Sequence, residues 1–329
     1  MQRILFILLS SAYCFSQQTI VELNKAPESD FKLDGIISES EIDNAKTIDI
    51  VYEHEPGYNT APSYETKTYL KYTDTYLYIG FRAYRDEVKA DIHPRDNFSL
   101  FEDDFANIHL DTYGDARNNI GLTSNLYGSQ ADGIRIDTND WTRGNGSGWS
   151  LDANFDYQSL GRYTDFGYEV EFIIPFSSIP FPNGKIQRWK IKLSTYYRDN
   201  KKQGVTAQVF SSKLDRDNSC MLCQNNHTIV MSDIKVEKVF NLLPYVGANI
   251  IGNRDKYYDR INYETPEVNY GLGVNLDLNK NLSIEGTINP DFSQVEADVL
   301  KLILIHQQQL IILKKDHFLI EVLIFLIIP

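Results

Sequence analysis

EDDFANIHLDTYGDARNNIGLTSNLYGSQADGIRID, residues 102–137, decides how the chain is read. Ala106-Asn107-Ile108-His109-Leu110 alternates polar with apolar, as a half-buried strand does, and Asp111-Thr112-Tyr113-Gly114-Asp115 is a cluster of turn formers. Asp103 and Asp104 precede the strand and Asp111 and Asp115 follow it, so both of its ends are rich in oxygen. Such loops suit a hard cation, and calcium is the expected ion at these four carboxylates. The alternative is that Asp and Asn are there because they make good turns. No EF-hand spacing is present.

The same alternation recurs outward from this stretch. Thr66-Lys67-Thr68-Tyr69-Leu70-Lys71-Tyr72, the turn Thr73-Asp74-Thr75, and Tyr76-Leu77-Tyr78-Ile79-Gly80-Phe81-Arg82-Ala83-Tyr84 read as a β-hairpin. In Tyr168-Glu169-Val170-Glu171-Phe172 the apolar residues share one face and the glutamates the other. Trp189 to Tyr197 alternates likewise, and no stretch of this half keeps a helical period. Short alternating strands between Gly, Asn and Asp turns predict an antiparallel β-sandwich over residues 17–233.

Residues 1–16 read as a secretory signal peptide: Met1-Gln2-Arg3, then the short apolar run Ile4 to Leu9, then Cys14 and Ser16 ahead of a cut at Gln17. The protein is therefore expected to be exported, to the periplasm, outer membrane or cell surface. Two cysteines remain, Cys220 and Cys223, and in an oxidising compartment they are expected to close a small disulfide loop, with metal and redox roles as the alternatives. The net charge of −13 disfavours nucleic acid as a partner.

Beyond residue 234 the strands lengthen. Val268, Tyr270, Leu272, Val274, Leu276 and Leu278 fall on one face, and Asn269, Gly271, Gly273, Asn275 and Asp277 on the other. An apolar exterior over a small and polar interior predicts the first strands of an outer-membrane β-barrel over residues 234–298, with one more amphipathic soluble sheet as the alternative. Residues 299–329 are dominated by Leu and Ile and lack Gly, Asn, Ser, Thr and Tyr. They read as a frame-shifted tail, in which case the chain is the front of a longer protein.

Leu33-Asp34-Gly35-Ile36-Ile37-Ser38-Glu39, the strand ending Tyr78-Ile79-Gly80-Phe81-Arg82, Asp103-Asp104-Phe105 through Asn118, and Tyr168 to Phe176 resemble the family 9 carbohydrate-binding-module-like β-sandwich. Asn289-Pro290-Asp291-Phe292-Ser293-Gln294-Val295-Glu296-Ala297-Asp298 resembles the start of the outer-membrane barrel that follows this sandwich in a family of uncharacterised bacterial surface proteins. The resemblance implies an exported sandwich leading into an outer-membrane barrel, with carbohydrate, an oligo- or polysaccharide, as ligand.

A sugar site needs an aromatic face and planar polar groups. Trp141 and Trp149 flank a glycine-rich loop and are the expected platform, with Tyr113, Arg117, Asn118 and Tyr127. The alternative is that each tryptophan caps the core. Glycoside hydrolysis would need two carboxylates facing each other across a cleft, and Asp103 with Asp111, or Glu169 with Glu171, read better as paired surface charge. No nucleophile elbow, zinc-protease motif or phosphate loop is present, and His109, Met221 and Met231 are not arranged as haem ligands. The expected function is glycan capture or uptake. The competing expectations are a glycoside hydrolase or its accessory module in carbohydrate catabolism, and a plug or cap that binds no sugar.

Overall fold

The computed structural model describes residues 18–136, 149–150, 153–218, 220, 222–235, 240–254, 261–279, 282–288, 308–315 and 318–326. The expected signal peptide, Trp141 and the barrel-start motif at 289–298 lie outside them. Two compact units are present, one made of residues 1–178 with 184–234, the other of 179–183 with 235–329.

The first unit contains β1 (Thr19–Glu22), α1 (Glu39–Ile42), β2 (Tyr52–Glu55), β3 (Thr66–Tyr72), β4 (Tyr76–Tyr84), β5 (Phe105–Asp111), β6 (Asn118–Asn125), β7 (Gln130–Ile136), β8 (Trp149–Ser150), β9 (Gln158–Thr164), β10 (Gly167–Pro175), β11 (Ile186–Asp199), β12 (Val205–Phe210) and β13 (His227–Ser232). They form two sheets. The larger runs β1-β13-β11-β5-β6-β7-β8, with β12 beside the far half of β11 and β2 beside β12. The smaller runs β3-β4-β10-β9. This is the all-β sandwich that the alternation predicts.

The hairpin β3–β4 closes as its sequence dictates: the Thr73 hydroxyl oxygen accepts from the backbone N–H of Thr75 and of Tyr76, which fixes the turn. In β10, Tyr168, Val170, Phe172 and Ile174 lie in register with Ala83, Phe81, Ile79 and Leu77 of β4, and all eight are buried. They meet Ile108 and Leu110 of β5 and Ile191 and Leu193 of β11 as the core between the sheets, each fully or almost fully buried. Trp189 belongs to that core, at 0% exposure and 5.9 Å from the Phe176 ring.

The glutamates of β10 correct the expectation of surface charge. Glu171 is 0% exposed and Glu169 only 3%, because the segment around Gly35 lies over the outer face of the small sheet. One Glu171 oxygen accepts from the N–H of Gly35 at 2.7 Å and of Asp34 at 3.2 Å, and the other accepts from the Tyr78 hydroxyl at 2.9 Å. Glu169 accepts from the N–H of Ile37 and pairs with Arg82 at 2.6 Å. The two carboxylates act as anchors for a covering loop. Burial, with Glu41 nearby, pushes the Glu171 carboxyl up to about 8.

The second unit contains β14 (Phe240–Asn249), β15 (Gly252–Arg254), β16 (Ile261–Tyr263), β17 (Glu267–Asn279), β18 (Leu282–Ile288), β19 (Gln308–Lys315) and β20 (Phe318–Leu326). Its main sheet has five strands in the order β14-β17-β18-β20-β19, and β15 pairs with β16. The register sets Phe240, Leu242, Val246 and Ala248 opposite Leu276, Val274, Tyr270 and Val268. Phe240, Leu242, Val246, Val268 and Tyr270 are each more than half exposed. Among the described residues no helix is long and apolar enough to cross a membrane, which says nothing of strands.

Candidate functional site

The alternation of β5 implies one wet face, yet all seven of its residues are buried. Ile108 and Leu110 face the core. Phe105, Asn107 and His109 face outward, and there the larger sheet is hollowed rather than bare. His109 is in register with Gly121 of β6, which is in register with Gly133 of β7, and Asn107 stands opposite Thr123, which stands opposite Ala131. Two glycines and an alanine remove the side chains that would fill this part of the sheet. The result is a cavity of about 450 Å³, lined by Phe98, Phe101, Phe105, Asn107, His109, Gly121, Thr123, Ala131, Asp132, Gly133, Tyr196, Thr206 and Gln208.

One wall is aromatic. Phe105 of β5 and Tyr196 of β11 are register partners, with ring centroids 4.6 Å apart and planes 13° from parallel. The 3-10 turn Phe98–Glu102 adds Phe101, edge-on to Phe105 at 5.6 Å, and Phe98 beyond it at the rim, 62% exposed. The other side is polar. The Asn107 side-chain N–H donates to the Thr123 hydroxyl at 2.7 Å, and its carbonyl oxygen is buried with no hydrogen-bond partner. The His109 Nε2 lies 3.3 Å from the Ser194 hydroxyl, and Thr206 and Gln208 complete the polar edge.

At the His109 end the sheet places Lys192 of β11 beside His109 in register, 4% exposed, with its ammonium 5.5 Å from the centroid of the Phe210 ring. Burial, aided by the charge of Arg135, draws the Lys192 ammonium down to about 7. Burial also holds the His109 imidazole well below its usual range, and the charges of Lys192 and Arg135 push the same way. Tyr196 is pushed up to about 12 by burial. At neutral pH the His109 imidazole is therefore uncharged.

The sugar-site residues expected from sequence are spread over the sandwich. Tyr113, Arg117 and Asn118 sit at the β5–β6 turn, with the Arg117 side chain 82% exposed. Tyr127 lies at the other end of β6, its ring 6.0 Å from that of Tyr163. Trp149 begins β8 as the register partner of Arg135. Sequence reasoning missed Phe98, Phe101, Phe105 and Tyr196. The available signal was glycine inside strands: Gly121 and Gly133 mark where something other than a side chain is to approach the sheet.

The four expected calcium ligands lie at the two ends of β5, seven residues and roughly 20 Å apart. Asp103 accepts from the Asp91 N–H and the Asn125 side chain and lies 2.8 Å from the His93 Nε2. Asp104 accepts from the Arg198 N–H, and burial pushes its carboxyl up to about 6. Both Asp111 oxygens are taken by backbone, the N–H of Gly114 at 2.7 Å and of Ala116 at 2.9 Å, and Asp115 accepts from the Arg117 N–H. Asp111 and Asp115 close the local turn, whereas Asp103 and Asp104 tie together segments distant in sequence. Among the described residues no three His, Cys, Asp or Glu side chains converge as a metal site. Cys220 and Cys223 are joined by a disulfide.

No protein-family model and no curated protein matches the chain. Several solved structures resemble it in fold. A family 9 carbohydrate-binding module from Caldicellulosiruptor kristjanssonii, in complex with cellotriose, aligns over 64% of this chain and 92% of its own at 15% identity, with a TM-score of 0.44. The same module in complex with glucose aligns over 67% and 97% at 15% identity, with a TM-score of 0.45. A candidate carbohydrate-binding protein from Bacteroides uniformis aligns over 65% and 99% at 11% identity, with a TM-score of 0.46.

Proposed function

We propose that the sandwich is a carbohydrate-binding domain whose site is the cavity on the outer face of its larger sheet. The observation that carries the reading is the pairing of the stacked Phe105 and Tyr196 wall with the unpartnered carbonyl of Asn107 across one cavity of about 450 Å³. A pyranose offers an apolar C–H face to the first and hydroxyl donors to the second. The role is capture rather than cleavage. Among the described residues Asp132 is the one carboxylic residue lining the cavity, and its oxygens are engaged by Arg95 and the Phe155 N–H, so no opposed carboxylate pair of the described residues spans the space. Glucose and cellotriose, present in the similar solved structures, are the first ligands to try. Isothermal titration of the full chain should show saturable binding that Tyr196→Ala weakens by about 10- to 100-fold. A flat response from folded protein would end this reading.

The second unit supports an outer-membrane location for the same protein, with glycan capture or uptake as its task. The paired apolar residues of β14 and β17 are exposed on one face, while the other face carries Gly271 and Gly273 together with one exposed leucine, Leu243, which supports a strand pair with lipid on one side. Retention in the outer-membrane fraction after carbonate extraction is the expected behaviour. Release with the soluble periplasm would overturn it.

A further inference from the structure

The turn that borders the cavity is built to keep two phenylalanines in the open. In the 3-10 turn Phe98–Glu102 the Asn97 side chain caps the start by accepting from the Ser99 N–H at 2.9 Å. Side chains three apart on such a turn lie on one side, so Phe98 and Phe101 both line the cavity while Leu100 packs into the core with Phe105 and Ala131. Phe98 and Phe101 stay exposed with ring centroids 6.3 Å apart, and a folded domain leaves paired apolar rings bare where something is to cover them. Tyr196 already meets the C–H face of a pyranose, so these two rings call for a second apolar group on the ligand. The polar demand is as particular. Asn107, on the same strand as Phe105 and roughly 7 Å along it, gives its side-chain N–H to Thr123, and its buried carbonyl oxygen has no partner. That oxygen needs a donor. Asp132, the one carboxylic residue among the described lining residues, is paired with Arg95 at 2.7 Å, so a neutral ligand suits the site.

Resting on the reading that the cavity takes a sugar, we infer that the sugar is an N-acetylated amino sugar: the ring stacks on Tyr196, the acetamido N–H donates to the Asn107 carbonyl, and the acetyl methyl lies against Phe98 and Phe101. An amide N–H donates and accepts nothing, so a lone acceptor answers it fully. A ring hydroxyl in its place would bring lone pairs that want the Asn107 N–H, which is already given to Thr123. The acetyl carbonyl finds donors at the polar edge, where Thr206 and Gln208 line the cavity. The ligand class is then N-acetylhexosamines and the glycans that contain them. A deoxy sugar shares the methyl without the amide, and the experiment separates the two. The cavity thus discriminates by a substituent where stacking alone would accept any pyranose.

The test is isothermal titration of the full chain with N-acetyl-D-glucosamine, D-glucose and 6-deoxy-D-glucose, repeated in Phe98→Ala and Asn107→Leu. N-acetylglucosamine should bind about tenfold or more tighter than either of the others, the effect of one covered methyl and one satisfied acceptor. Each variant should cut that ratio to about threefold or less. 6-Deoxyglucose matching N-acetylglucosamine overturns the inference and names a bare methyl as the recognised group. Equal binding of all three overturns it and leaves the sugar reading standing. A preference that neither variant changes overturns it too, because the discriminating contacts then lie outside the cavity. No binding of any sugar, from folded protein, overturns both readings. Phe98 is mostly exposed, so Phe98→Ala keeps the fold. Should Asn107→Leu not fold, the acetyl methyl proton signal of the ligand decides with the parent protein: an upfield ring-current shift on binding supports the inference, and an unmoved signal overturns it.

Discussion

Phe105 and Tyr196 lie on neighbouring strands with their rings stacked 4.6 Å apart, yet they do different work. Phe105 is 3% exposed and packs with Leu100 and Ala131, whereas Tyr196 is partly open to the cavity. Tyr196→Ala should therefore lower sugar affinity by about 10- to 100-fold with a small change in melting temperature. Phe105→Ala should instead cost about 3–5 kcal/mol of stability. Paired titration and denaturation curves separate the two, and equal stability losses would put Tyr196 in the core.

Glu171 makes the stability of the sandwich depend on pH. Its carboxyl is raised from 4.5 to about 8 in the folded protein. The stabilising protonated form is therefore fully present below the unfolded value, and its contribution is lost as pH rises from about 4.5 through 8. Glu171→Gln removes this loss, so its stability relative to the parent should improve between about pH 5 and 8 in urea melts. Glu171→Ala should cost about 2–4 kcal/mol at any pH, because the N–H groups of Gly35 and Asp34 lose their acceptor.

Gly35 has φ +78°, and a Cβ there would lie 2.8 Å from the carbonyl carbon and oxygen of Gly161. Gly35→Ala should cost more than the roughly 1 kcal/mol of backbone strain alone, because both colliding atoms are main chain. With Glu171→Ala the two costs should add to less than their sum, since both variants free the same loop; chemical denaturation of the single and double variants measures the coupling.

Period-two alternation made β3, β4, β5, β10 and β11 legible, because each strand's pattern is local and its apolar face sets its side. The covering of a second face was not legible. The loop that buries Glu169 and Glu171 lies far from them in sequence and has no periodicity, so charged residues on a polar face looked like surface. The same limit hid the cavity. Phe105 and Tyr196 read as ordinary strand aromatics until β5 and β11 are placed side by side. The turn after β5 was legible as a turn, and the pairing of both Asp111 oxygens with the N–H groups of Gly114 and Ala116 was not, because an oxygen that caps a turn and one that binds calcium occupy the same sort of sequence.

The pairing of β1 with β13 has a bearing on how the chain acquires its form. Thr19–Glu22 runs parallel to His227–Val230, so the earliest strand of the sandwich takes its place against the latest. A nascent chain emerging from its amino end therefore holds an unmatched strand through the whole synthesis of the domain, and the larger sheet gains its edge only when the last strand is delivered. Its closure is a late, long-range event, slow by the measure of contact order, and the partly made domain presents bare strand edges to its neighbours until then.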